Sequence, residues 1–380
     1  MQEGLRVQVI NNGILLPPKK DTSKSWGLGG VVDANESFVE DSIYRFYFGG
    51  YYDFDKNNIK ESEEEVIYLG HLIPHWGVFL VDFTRRLWYY YKSKNPNVKL
   101  AFFGVNMPSG GFAALGQMYH DFLKLADIDE SILIDVRNIT RFKTVYVPEM
   151  GYDEDKKLSY EEFLIPFKHI INNINQCQKI DYSEVRDFKT YPKIYLSRTR
   201  FATFREAGEN IIERFFELNG FKVIYPETLS FLKQILIFKD ADVMASIEGT
   251  IAHTILFSEH VQQQIIIRKQ KLKNSRQPWF NKMMNVSLFE IKSFYEPIPG
   301  MPYSWDEGPF LMLFNKELKK FAKENNMQIP SGILKANIKA ILHYLHIALI
   351  HFLQRHNFLT KIIEPLFAVV RGVRSMFKCI

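Results

Sequence analysis

Residues 193–257 read KIYLSRTRFATFREAGENIIERFFELNGFKVIYPETLSFLKQILIFKDADVMASIEGTIAHTILF. Short apolar runs at Lys193–Leu196, Lys222–Tyr225 and Ala241–Ser246 each precede a segment with helical spacing. Those segments are Glu206–Asn219, stopped by Gly220; Ser230–Lys239, with Ser230 placed as N-cap; and Ile251–Phe257. Gln264–Ile267 adds a fourth strand. Strands alternating with helices at this pitch predict a doubly wound parallel sheet. Ligands of such sheets bind beyond the carboxyl ends of the strands. The loops there are Ser197-Arg198-Thr199-Arg200, Pro226-Glu227 and Ile247-Glu248-Gly249-Thr250. The guanidinium forks of Arg198 and Arg200 suit phosphate oxygens. Glu227 suits ribose hydroxyls. A helix beginning after Gly249 turns free N–H groups and a positive dipole end toward an anion, with Thr250 at its start. Glu248 and His253 complete the candidate set. Together these residues predict a nucleotide-diphosphate site that has neither a Walker motif nor a GxGxxG fingerprint. Taken singly, each has an ordinary alternative: a surface ion pair for an arginine, a cap for Gly-Thr, a packed ring for His253.

Outward from this block the signals weaken. Residues 1–60 read as irregular and strand-rich, punctuated by Pro17-Pro18, Gly29-Gly30 and Gly49-Gly50. Glu61–Glu65 reads as a solvated acidic loop, Val66–Leu69 and Lys99–Gly104 as strands, and Gly116–Ala126 and Tyr160–Ile174 as helices. Trp76–Tyr91 has the spacing of one continuous helix. Asp53-Phe54-Asp55 and Asp127-Ile128-Asp129 have Asp-x-Asp spacing but lie far from the nucleotide loops, so they read as solvated turns rather than metal ligands.

The chain has 380 residues and a net charge of +5, with 15% aromatic residues. From Ser331 to Ile380 there are seven Lys/Arg and one acid, Glu364, a net +6 that leaves the rest near −1. A near-neutral body argues against nucleic acid as a partner. Two cysteines, Cys177 and Cys379, make no disulfide framework and fit a reducing compartment. With no secretory signal pattern at Met1–Arg6 and no long uninterrupted apolar run, a cytoplasmic location is expected. Leu334, Ile338, Ile341, Leu345, Ala348 and Phe352 follow helical spacing among basic residues. That pattern predicts amphipathic helices over 331–380 that associate with an anionic membrane surface.

At KIYLSRTR and the block that follows it the sequence resembles glycosyltransferase family 61, the DUF563 type of capsule and lipopolysaccharide biosynthesis. The resemblance spans about Tyr68 to Arg268. Its second part is YLGHLIPHWGVFLVDFTRRLW, where Gly70, His75, Gly77, Phe79, Leu80, Arg86 and Trp88 match the family pattern. Asp82 stands where the family usually has Glu, and Val78 replaces a second His. The resemblance implies an α/β, GT-B-like fold: two Rossmann-like domains facing across a cleft. It implies an N-terminal acceptor-side domain over 1–175, a nucleotide-sugar domain over 185–310 and a crossing helix over 311–330. It further implies inverting transfer from a nucleotide sugar, usually UDP-linked, without an essential metal, to a lipid-linked or surface-polysaccharide hydroxyl at the inner face of the cytoplasmic membrane.

Inversion needs a base for the acceptor hydroxyl while the nucleotide leaves. Asp82 is the first candidate and His75, two turns earlier, the second. The alternative for Asp82 is a pair with Arg85 or Arg86 at i+3 and i+4. A sugar-nucleotide epimerase of the same fold and a non-catalytic scaffold of a polysaccharide assembly complex are the rival readings.

Overall fold

The computed structural model describes residues 4–44, 47–153, 158–176, 188–201, 205–272, 276–299, 303 and 308–355. The first half is built on a seven-stranded mixed sheet. Its strands are β1 (Val7–Asn11), β2 (Ile14–Lys19), β3 (Leu28–Val32), β4 (Lys60–Leu72), β5 (Lys99–Gly104), β6 (Leu133–Asp135) and β7 (Thr140–Pro148). β7, β4, β5 and β6 run parallel, and β1 and β2 pair antiparallel with β7. β4 is longer than the apolar pattern predicts. The acidic stretch before Val66 is strand, because Arg141 reaches Glu61 at 2.6 Å and Lys143 reaches Glu65 at 2.9 Å across the ladder. Opposite charges facing across strands offset the like-charge repulsion that made this stretch read as a loop. β8 (Tyr152–Asp153) and β9 (Leu158–Ser159) form a small hairpin.

The segment Trp76–Tyr91 is three pieces rather than one helix: α1 (Trp76–Val81), a 3₁₀ turn at Phe83–Arg86 and α2 (Trp88–Lys92). Thr84 Oγ1 donates to the Leu80 carbonyl at 2.6 Å and Arg85 Nε to that of Val81 at 3.1 Å. Side-chain donors that take helix carbonyls compete with the backbone ladder, and the break falls at Asp82. α3 (Gln117–Leu125) and α4 (Ile165–Asn175) cover the same side of the sheet.

The second half carries the predicted parallel sheet, in order β12-β10-β13-β14-β15. β10 is Lys193–Leu196, β12 Lys222–Ile224, β13 Val243–Ile247, β14 Gln263–Arg268 and β15 Ser287–Lys292, with α5 (Glu209–Leu218), α6 (Phe231–Asp240) and α7 (Gln277–Met283) around it. Ser230 caps α6 by accepting from the Lys233 N–H. Thr250–Phe257 is a 3₁₀ rather than an α-helix. Residues Glu206–Ala207, predicted as helix, form β11, which pairs with β17 (Phe310–Met312), itself paired with β16 (Phe294–Tyr295). α8 (Lys316–Glu324), capped by Asn315, packs on β15.

One core runs from Leu69, Phe79 and Phe122 of the first half to Phe231, Ile255 and Phe257 of the second. Trp76 lies edge-on to Phe231 at 5.3 Å, and Phe167 to Phe257 at the same distance. The two sheets are therefore joined by a buried, aromatic seam. α9 (Ile333–Arg355) closes the described chain; the rest of the predicted amphipathic tail, 356–380, lies outside the described residues.

Candidate functional site

The parallel sheet sets β12, β10, β13 and β14 side by side in one direction, so the loops after them share one edge. Arg198 leaves β10 half-buried, with its guanidinium 4.6 Å from the Phe201 ring. Its backbone N–H donates to the Glu209 carboxylate at 3.0 Å, and its buried Nε has no hydrogen-bond partner among the described residues. A buried guanidinium donor without an acceptor is costly. Tyr195 also donates to Glu209, whose carboxyl is pushed up to about 7 by burial. Arg200 is exposed and lies over Tyr225 at 3.8 Å, and Glu227 is exposed in the turn after β12. These two are not brought to the interior of the site.

Glu248 is buried. It accepts from Arg268 Nε at 3.1 Å and from the Lys269 N–H at 3.3 Å, which makes it a structural partner of the neighbouring strand end. Gly249 has φ +136°, a conformation that L side chains rarely adopt. It lets the chain turn from β13 directly into the 3₁₀ helix. The ordinary reading of His253 is the observed one: its ring packs edge-on to Phe280 at 5.2 Å and bonds Gln277 at 2.8 Å. Burial pushes its pKa down to about 4.

The first-half residues meet this edge. A Cβ on Gly77 would stand 2.4 Å from Thr250 Oγ1. The first turn of α1 and the first turn of the 3₁₀ helix thus touch, and only glycine permits it. His75 is exposed and caps α1, Nδ1 accepting from the Val78 N–H at 3.3 Å. Asp82 is buried. The i+3 pair with Arg85 forms at 2.8 Å, and Asp82 Oδ2 also meets Arg276 at 3.3 Å. Arg276 bonds the Tyr44 hydroxyl at 3.2 Å, and Arg85 bonds that of Tyr152 at 2.7 Å. Burial opposes the charge on Arg276, but Asp82, Tyr152 and Tyr44 together raise its pKa. Asp82 is therefore the central anion of a cross-half network, not a group standing open to substrate. Arg86 belongs to the frame, donating to the carbonyls of Pro148 and Asp41.

The sequence reading named Arg85 as a partner for Asp82 but missed Arg276, Glu209 and Lys269. Lys269 was within reach of the same rule that found Arg198, since it directly follows a strand. Its Nζ pairs with Glu206 at 2.8 Å and stands 3.9 Å from where a Gly249 Cβ would be. Asp55 and Asp129 cap 3₁₀ turns, and Asp127 is held by His169 and Asn173. Among the described residues no group of three His, Cys, Asp or Glu gathers as a metal site.

A family model described as Glycosyltransferase 61 matches residues 76–265, half of the chain and the span that contains both contacting turns. No curated protein matches the chain.

Proposed function

The chain belongs to glycosyltransferase family 61, and from that premise we propose that it transfers a sugar, with inversion, from a nucleotide sugar to an acceptor hydroxyl at the junction of its two halves. The observation that carries this reading is the contact of Gly77 with Thr250, which unites the two sequence blocks of the resemblance in one place. The reading includes the two-lobed GT-B arrangement, with a UDP-linked donor on the parallel-sheet edge and the acceptor entering from the first half.

Arg198 and the N–H groups at Thr250 hold the diphosphate, and Arg276 faces the charge that develops as it leaves. Preorganised donors of this kind supply the largest share of rate in such displacements. Asp82 holds Arg276 in place. His75 takes the proton of the attacking hydroxyl. His75 is exposed at the start of α1, where an entering hydroxyl can reach its ring. The reading needs no metal and takes a lipid-linked or surface-polysaccharide hydroxyl as acceptor.

Incubation with a panel of UDP-sugars in excess chelator tests it. Release of UDP with free sugar is expected. An isomerised UDP-sugar would make the protein an epimerase, inertness with bound nucleotide would make it a scaffold, and turnover restored only by a divalent ion would overturn the metal-free reading.

A further inference from the structure

α9 has two unlike faces. Tyr344 and Ile347 are buried against Ala207 and Leu311 of the small sheet, and Ala340 and Ala348 are buried beside them on the helix. The Tyr344 hydroxyl accepts from the Ile298 N–H at 3.2 Å, and Asn337 brackets both backbone groups of Phe314 at 3.0 and 3.2 Å. A Cβ on Gly208 would lie 3.2 Å from that of Ala340. This part of the tail is therefore bolted to the body along its length.

The opposite face is apolar and uncovered. Leu334, Ile338, Ile341, Leu342, Leu345 and Leu349 form one stripe, Leu334 being 76% and Leu342 61% exposed. Lys335 and Lys339 are exposed beside it, and Ile333–Arg355 contains no Asp or Glu. Ile333–Leu353 is long and apolar enough to cross a bilayer by composition, with a mean hydropathy of 1.3. A crossing helix would have to leave the contacts of Tyr344 and Asn337.

We propose that the outer face of α9 docks on an anionic lipid bilayer, with the helix axis in the membrane plane and its inner face still on the protein. Lipid rather than a second copy is the occupant because the charge matches it. α9 itself carries Lys335, Lys339 and Arg355 and no acid, a charge that repels another copy of itself and attracts anionic headgroups. The position of the helix adds a consequence. α9 packs on β11, and Glu206 of β11 binds Lys269 at the carboxyl edge of the parallel sheet. Docking therefore brings that edge close to the bilayer, where a lipid-linked acceptor resides. This consequence rests on the transferase reading; the docking does not, so vesicle binding and turnover can fail separately.

The test is cosedimentation of the full chain with vesicles of phosphatidylcholine alone or mixed with phosphatidylglycerol. Binding to the mixed vesicles at 0.1 M salt is expected, at least tenfold weaker on phosphatidylcholine and weakened again at 1 M salt as the Debye length falls from ~10 to ~3 Å. The double variant Ile338→Glu, Leu342→Glu should lose at least tenfold in binding with little change in melting temperature, since both side chains are exposed, Ile338 by 49% and Leu342 by 61%. Undiminished binding of a folded double variant would overturn the proposal, as would no binding by the native chain. Concentration-dependent dimers that the double variant dissolves would instead give the face to a second copy.

Discussion

Gly77→Ala puts the contact between the two halves under direct test. In an ordinary helix this change stabilises, because glycine costs roughly 1 kcal/mol relative to alanine. Gly77 has helical backbone, so nothing in its own conformation forbids a Cβ. The added atom would meet Thr250 Oγ1 at 2.4 Å and Cγ2 at 2.9 Å. Both halves are held by the aromatic seam around Trp76 and Phe231, so relief requires moving packed elements. Overpacking of this kind costs about 1–3 kcal/mol. The expected result is net destabilisation, together with weaker UDP binding as the 3₁₀ helix shifts. Thr250→Ala removes the two nearest atoms and leaves only a 3.1 Å approach to Cβ. The double variant should therefore recover part of the loss, with a coupling of about 1–2 kcal/mol. Denaturant melts of the four proteins, with calorimetric UDP titrations, measure this. A stabilised Gly77→Ala, or additive effects in the double variant, would refute the contact.

Arg198→Ala should weaken UDP binding by about 1.5–3 kcal/mol, the scale of a charged hydrogen bond, as read by calorimetry on a folded variant. His75→Ala should slow transfer by ~10²–10⁴-fold at unchanged UDP affinity, whereas Asp82→Asn, which leaves Arg85 and Arg276 without their carboxylate, should cost about 3–5 kcal/mol in denaturant melts. Stability should depend on pH through three buried groups. Burial holds His71 down to about 3 and His253 to about 4. The unfolded chain binds protons there that the folded chain refuses, so stability is intact above ~6.5 and falls toward pH 4, by roughly 3 kcal/mol for His253 alone. Glu209, held up to about 7, works in the opposite sense between ~4.5 and 7, so Glu209→Gln should steepen the acid loss in melts from pH 7.5 to 4.

The parallel sheet was legible because its strands and helices are local patterns, each with its own period and stop. Arg198, Gly249 and Thr250 were legible for the same reason: strand direction alone places them on one edge. β15 was not, because its residues alternate only weakly between exposed and half-buried at the sheet border. Glu61 and Glu65 misled because their partners, Arg141 and Lys143, lie nearly 80 residues away. Asp82 was found as a residue but not as an environment. Its second partner, Arg276, is 194 residues distant, and no periodicity within one helix announces it. The tail's amphipathicity was visible in the spacing, but Ala348 of that stripe is buried, and the inward packing of Tyr344 and Ile347 is decided by β11 and β17.

The most direct test of the donor site is amide hydrogen exchange of the native chain with and without UDP. The account predicts slowed exchange confined to three stretches that meet at the junction: the first turn of α1 after His75, the loop Ser197–Arg200, and the turn from Ile247 through the 3₁₀ helix at Thr250–Phe257. Protection that spares the segments around Gly77 and Thr250, or that falls instead on the first-half sheet, would contradict it.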